Sequence, residues 1–443
     1  MTSNEKSQIS MDQLINEYVQ NVVSRHNTNI EFEVRFGTKY NKISRTNYDN
    51  ICKYLLGLNY NTVNELGIAL LRVNNEYIDK ITGEKRMSNI RTEVDGISNI
   101  HRYCKSNLVK SDEQGVNFVK KTKFIKDKKP IPYLNKPEYN LRVSMNQEET
   151  INESSPIIKQ IIDNWSVSPK IFRYLNRVQF YEDNSVVFID CSIVKSSSFR
   201  NGKLVPSHSI HEANVFKNPE NYEIELELDN KKAIELASKM TLEEIKVKIK
   251  SDLMKAIKHV LSGLQNSFYP VSYFELENIG KEYIGLTKTE VRKTLRPSNF
   301  IGPSSLTLQM RNLIQLDMPG GPPCILDNYT VTEKADGIRK ILFISNSGKI
   351  YFIGSDMSIS FTGLICGNKK LFRTMMDGEF ITENKRGIPI QLYGAFDIYF
   401  IGSKDVRSFP FYKKQLSEGK EVDSYTGRLI LLNSVIGELK MKS

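Results

Sequence analysis

Residues 221–229, NYEIELELD, alternate without interruption: Tyr222, Ile224, Leu226 and Leu228 between Glu223, Glu225, Glu227 and Asp229. Period two is the spacing of a β-strand, so four apolar side chains share one face and four carboxylates the other. Glutamate is depleted in strands and like charges on a shared face repel, so the acidic face must meet water or positive charge. A second segment repeats the pattern, with Ile30, Phe32, Val34 and Phe36 between Glu31, Glu33 and Arg35. Either strand alone also fits a solvated outer sheet face. Two acidic rows in one region instead favour a hard divalent ion, because Mg²⁺ takes oxygen ligands from a few carboxylates and from substrate phosphates.

The surroundings are those of a β domain. Between Ile30 and Leu228 the short runs IEFEVRFG, SNIRTEV, NFVKKTKFI, YNLRVSM, IFRYLNRVQFY, SVVFIDCSIV and NYEIELEL are separated by Asn, Gly, Pro and Ser, which predicts antiparallel strands. A helix is expected before them, where Ser10 and Gln13 form a capping-box pattern, and another over 231–264, where Thr241 and Glu244 do the same. A Pro- and Gly-rich stretch follows, with Pro297, Gly302, Pro303 and MPGGPP at 318–323, and strands are expected to resume at YTVTEKADG. At 443 residues the chain exceeds one ordinary core, and the boundary is placed near 265, giving domains 1–265 and 266–443.

Basic residues spaced for an inner sheet face lie between the acidic strands: Lys121, Lys123, Arg142, Arg173 and Arg177. Interleaved with a metal-binding acidic set, they suit a polyphosphate whose oxygens need neutralising. The net charge of +11 points the same way, toward nucleic acid, although excess lysine also serves solubility. EFEVRFG, YNLRVSMNQEE, FRYLNRVQF and NYEIELEL together resemble the triphosphate tunnel metalloenzymes, within them the RNA triphosphatases of fungi and large DNA viruses. The resemblance runs from Glu31 to Leu228. It implies an eight-stranded antiparallel tunnel with Mg²⁺ or Mn²⁺ on Glu31, Glu33, Glu225 and Glu227, which are then both metal ligands and catalytic residues. It also implies phosphate contacts from Arg142, Arg173 and Arg177, with Asp190 as a supporting acid. Leu175 and Phe188 stand where some relatives carry basic residues.

The second half contains KxDGxR, as Lys334, Asp336, Gly337 and Arg339. A lysine attacks an α-phosphate only when neutral, and a neighbouring guanidinium with a bound metal can lower its pKa. Strands on both sides are expected to hold it in line. Asp377 and Glu379 in MMDGEFI, and Phe396 and Asp397 in YGAFDIYFI, add carboxylates for ribose or metal and an aromatic face for a base. In this order they resemble the covalent nucleotidyltransferases, namely mRNA guanylyltransferases and polynucleotide ligases. That resemblance implies a phosphoramidate on Lys334, with GTP as substrate, Asp336 in the nucleotide site, Arg339 and Glu379 on the sugar, and Phe396 stacking on the base. The family's later motifs are not found, so the domain is expected to be C-terminally truncated and partial, and the chain to hydrolyse triphosphate well yet cap poorly.

The fold expected is α+β, and the function mRNA cap synthesis on RNA 5′-triphosphate and GTP, with a cap methyltransferase domain or subunit as partner. A ligase-type nucleotidyltransferase fused to a polyphosphatase, or a non-catalytic RNA-binding scaffold, are the alternatives. Five scattered cysteines without a CxxC pair, a polar start after Met1 and no long apolar run suggest a cytoplasmic setting without a membrane, in a viral factory or virion if viral.

Overall fold

The computed structural model describes residues 9–37, 42–64, 66–79, 81–110, 114–289, 295–314, 324–326, 329–412, 427–439 and 441–442, so MPGGPP lies outside it. Two compact units divide the chain, Met1–Asn266 and Ser267–Ser443. The first unit is built on β1 (Ile30–Phe36), β2 (Ile68–Ile78), β3 (Lys85–Asp95), β4 (Val116–Lys123), β5 (Leu141–Thr150), β6 (Lys170–Tyr181), β7 (Val187–Ser196) and β8 (Asn221–Leu228). They pair antiparallel in the order β1-β8-β7-β6-β2-β3-β4-β5, and β5 pairs back with β1. The eight-stranded antiparallel tunnel is therefore closed, each of the eight strands being paired on both sides.

Seven of these strands match the runs read from the sequence. The eighth, β2, is IALLRVNNEYI, which carries the same alternation in Leu71 and Val73 against Arg72 and Asn74. The barrel is apolar outside. Phe32 is 1% exposed and meets Tyr18 of α1 (Met11–Tyr18) edge to face, with ring centroids 5.8 Å apart. α2 (Arg45–Gly57) lies over β8, its Tyr48 ring 5.4 Å from Tyr222. α3 (Ile97–Ser106) and α4 (Pro156–Asp163) cover another side through Ile100, Tyr103 and Ile158, which pack with Trp165 on Leu71, Val73, Phe118 and Phe172. Burying one such side chain contributes roughly 1.5–3 kcal/mol. α5 (Asn230–Ala237) and α6 (Leu242–Gln265) complete the unit, and α6 starts at the Thr241–Glu244 capping box.

The second unit is a seven-stranded antiparallel sheet. Its main strands are β9 (Ile338–Ile344), β10 (Lys349–Gly354), β11 (Ile359–Cys366), β12 (Thr374–Glu383) and β13 (Pro389–Ile401). α7 (Tyr273–Thr287) packs Ile279, Tyr283 and Leu286 on one face, and α8 (Arg428–Glu438) packs Leu432 and Val435 on the other. α7 falls just before the stretch read as Pro- and Gly-rich, and its signal was Ser272 as N-cap before a 3–4 spacing of apolar residues. The strand expected from Tyr329 begins only at Ile338; residues 329–336 have no regular structure. Among the described residues no helix is long and apolar enough to cross a membrane.

Candidate active sites

Because the outer face of each barrel strand is apolar, the charged residues point into the lumen, and their contacts join strands that are not neighbours. Lys121 of β4 pairs across β5 with Glu31 of β1 and lies 3.7 Å from Glu33. Arg177 of β6 reaches across β7 to Glu225 at 3.6 Å and Glu227 at 3.8 Å of β8, while binding Asp190 of β7. Arg173 pairs with Glu223, and Arg35 holds both Glu223 at 3.0 Å and Glu225 at 3.2 Å. Register brings Glu33 opposite Glu227 and Arg35 opposite Glu225. Further lumenal groups complete the network: Arg72 and Arg91 both bind Glu93, and Arg91 crosses β4 to Glu148 at 3.1 Å.

Electrostatically the lumen is frustrated. Glu33, 8% exposed, has its carboxyl pushed up to about 7 by burial and then by the charges of Glu225 and Glu31, against Lys121. Burial, with Asp190 nearby, holds Glu227 well above the carboxylate range. Burial would raise Glu225 too, but Arg35, Arg177 and Arg173 outweigh it and keep it below. Burial also raises Asp190 in spite of Arg177. Lys121 is carried upward by Glu31, Glu148 and Glu33, which overcome its own desolvation.

Glu31, Glu33, Glu225 and Glu227 offer only carboxylate oxygens, and Glu33 is raised by burial first and then by its acidic neighbours, so a bound cation would relieve it. Lys and Arg occupy the space between them, and among the described residues no three His, Cys, Asp or Glu side chains stand together as a ligand group. The donor chemistry fits a hard ion; the ion pairs would have to open for it. Arg142 sits apart from the network, its Nε donating to Asn135 at 3.1 Å and its guanidinium 4.4 Å over Tyr133. Lys123 is exposed at the end of β4. Leu175 is buried between Arg173 and Arg177 on the lumenal face of β6.

In the second unit, Lys334 lies in the irregular segment before β9, its side chain 84% exposed and paired with Asp336. That partner raises the amine's pKa, through the hydrogen bond first and then its charge, with Glu379 adding to it. The expected lowering of Lys334 by a guanidinium is thus not found. Arg339 is engaged elsewhere, with Nε donating to Asp377 at 3.1 Å and Nη1 to the Pro303 carbonyl at 2.6 Å. Tyr399 donates its hydroxyl to the same Asp377, which is fully buried. Arg339 lies 5.5 Å from the Phe300 ring and 5.9 Å from the Phe396 ring, and Phe396 is 41% exposed. Glu379 is opposite Arg339 in the β9–β12 register and half-buried. Asp397, expected to be open to ribose or metal, is clasped by Arg428 of α8 at 2.8 and 3.1 Å. Lys334, Asp336, Arg339, Glu379 and Phe396 thus form one neighbourhood, and Asp397 faces the helix instead.

Residues 280–428, which hold this neighbourhood, match the family described as mRNA capping enzyme, catalytic domain. This part of the chain is similar to the catalytic domain of mRNA capping enzymes. A probable mRNA-capping enzyme of Acanthamoeba polyphaga mimivirus is 29% identical over 218 residues, 48% of this chain. The match spans 16% of that protein's length. Among solved structures, the RNA triphosphatase domain of a trifunctional mimivirus mRNA capping enzyme superposes with a TM-score of 0.34 at 18% identity, covering 57% of this chain and 99% of that one. For the S. pombe Pct1 RNA triphosphatase the values are 0.33, 12%, 58% and 95%. The closed barrel rests on the strand pairing above and not on these likenesses. In the barrel, sequence reasoning left Arg72, Arg91, Glu93 and Glu148 out of the site. The alternation of RTEV and NQEE, the same signal used for β1 and β8, marks Arg91, Glu93 and Glu148.

Proposed function

We propose that the chain carries out the first steps of mRNA cap synthesis: its first unit hydrolyses the γ-phosphate of 5′-triphosphate RNA, and its second takes up GTP on Lys334. One observation carries the first half: a closed barrel whose lumen brings the carboxylates Glu31, Glu33, Glu225 and Glu227 together with the long-chain cations Lys121, Arg173 and Arg177. Glu31, Glu33, Glu225 and Glu227 would hold a divalent cation, Mg²⁺ or Mn²⁺, which when bound supplies Lewis-acid activation of the γ-phosphate. Lys121, Arg173 and Arg177 would exchange carboxylate oxygens for phosphate oxygens, neutralising charge as the phosphoryl group transfers. Asp190 keeps Arg177 aimed at this space.

For the second half, Lys334 must lose the proton that Asp336 favours before its Nζ can attack the α-phosphate and expel pyrophosphate. Arg339 and Asp377 form a fixed pair beside it, with Phe396 exposed for a purine and Glu379 for the sugar. The capping-enzyme match of residues 280–428 supports GTP over ATP. The capped RNA end would be handed to a cap methyltransferase, domain or subunit, in the cytoplasm.

The test is phosphate release from γ-labelled triphosphate RNA with and without Mn²⁺ or Mg²⁺. Glu33→Ala and Glu225→Ala are each expected to reduce release at least about 100-fold, the scale seen when one preorganised charge-stabilising group is removed. Near-normal release by both variants rejects the tunnel site.

A further inference from the structure

The lumen is lined mainly by charged groups, and one end opens into a built vestibule. Along β1 the acidic Glu31 and Glu33 lie deeper, and Arg35 lies next to Phe36 and Gly37 at the opening. Along β8, which runs the other way, Glu223 is at the opening and Glu227 is deep. Arg35, Arg173 and Glu223 are shared between the lumen and a cavity of about 1060 Å³ outside it. Arg173 is notable there: its Nε is buried and has no hydrogen-bond partner among the described residues, although its terminal nitrogen pairs with Glu223. A buried donor left without an acceptor costs about 1–3 kcal/mol, and a phosphate oxygen in the vestibule would satisfy it.

Beside the cavity stands a two-stranded hairpin, Phe199–Arg200 paired with Lys203–Leu204. Asn201 and Gly202 both have positive φ, 50° and 74°, the tight turn that Asn-Gly forms without strain. This turn gives a stiff finger. Phe199 lines the cavity while remaining 64% exposed, and Arg200 and Lys203 are exposed on the same hairpin. An exposed aromatic ring beside two cations, at the mouth of an anion-binding tunnel, is the combination that holds single-stranded nucleic acid by base stacking and phosphate neutralisation.

We infer that triphosphate RNA enters the tunnel by this mouth and that the Phe199–Leu204 hairpin is an RNA-binding arm, with the first nucleoside in the vestibule and the following phosphates on Arg200 and Lys203. This rests on the triphosphatase reading of the lumen and adds a direction to it. Two residues of strand separate Glu33 from Arg35, about 7 Å. A γ-phosphate among the deep carboxylates therefore leaves the α-phosphate near Arg35 and Arg173, and the nucleoside beyond them. The occupant is a single strand, because the hairpin offers one aromatic ring and no paired groove.

The experiment uses the full chain and compares Phe199→Ala, the double variant Arg200→Ala/Lys203→Ala, and the unaltered protein. Two substrates are hydrolysed, a 5′-triphosphate RNA of about 20 nucleotides and inorganic tripolyphosphate, and the RNA Kd is measured by anisotropy at several salt concentrations. Loss of one stacked base is expected to raise the RNA KM and Kd about 5- to 100-fold. The double variant should flatten the salt dependence by roughly 1.4 in slope, about 0.7 for each phosphate that is no longer neutralised. Tripolyphosphate, which has no nucleoside, should be hydrolysed within about twofold of normal. Unchanged RNA KM and Kd in both variants, or an equal loss on the two substrates, overturns the arm and leaves the triphosphatase reading standing. Conversely, if the unaltered chain hydrolyses neither substrate but the variants still lose RNA affinity as stated, the arm is upheld and the triphosphatase reading falls.

Discussion

Glu33 shows how one side chain can be wrong for stability and right for a site. Its carboxyl is pushed up to about 7 by burial and by the charges of Glu225 and Glu31, so between pH 4.5 and 7 the folded protein binds a proton that the unfolded chain releases. Stability from this group is complete below pH 4.5 and is lost as pH rises through 7. In chelator-treated protein, Glu33→Gln should therefore match the parent near pH 4.5 and become more stable than it toward pH 8, by about 2–3 kcal/mol in denaturant melts. A gap that stays constant with pH would mean that Glu33 is ionised freely. Adding Mn²⁺ should stabilise the parent more at pH 8 than at pH 5, and Glu33→Gln much less. That Glu31 shares a strand face with Glu33, and Glu225 with Glu227, was legible from alternation alone. Which cation each one meets was not, because Lys121 and Arg177 reach them across an intervening strand.

Among the elements, the β9–β12 pair sets the geometry around Lys334. Gly337 is needed there for space: a Cβ would stand 2.5 Å from the Phe380 carbonyl oxygen and 3.0 Å from Glu379 Cγ, both on β12. Gly337→Ala should force the segment carrying Lys334 off the sheet, costing about 1–3 kcal/mol in a thermal melt and abolishing Lys334 labelling by α-labelled GTP. Full labelling with an unshifted melt would show that the close approach is relieved locally. Capping signals located the starts of α1 and α6, because Ser10 with Gln13 and Thr241 with Glu244 act within one turn, but the helix expected over 231–264 is split, α5 ending at Ala237 before the Thr241 cap starts α6. The strand expected at YTVTEKADG fails because alternation over 329–336 has no apolar face to bury: Val331 is fully exposed, and Tyr329 is 57% exposed. β2 was missed for the opposite reason, since IALLRV opens on a continuous apolar run that hides the alternating Arg72 and Asn74 behind it.

For the whole molecule, two compact units with separate charged sites predict separable chemistry. Glu33→Ala should keep Lys334-dependent GTP labelling while losing γ-phosphate release, and Lys334→Ala should do the reverse. Loss of both activities in either variant would show that the units work as one site, and labelling from ATP in place of GTP would point to the ligase class. The sequence by itself determined the acidic and apolar faces of β1 and β8, three of the cations that meet acids in the lumen (Lys121, Arg173 and Arg177), and the order of an acidic β domain before a KxDG lysine. Those follow from period-two spacing and from residue chemistry, which are local. Only the tertiary structure decided that β5 returns to pair with β1 and closes the sheet. It alone also set Arg339 on Asp377 rather than on the lysine, and turned Asp397 to Arg428. Closure and pair choice depend on which distant segments share a compartment once the outer apolar faces are buried, and no local spacing encodes that.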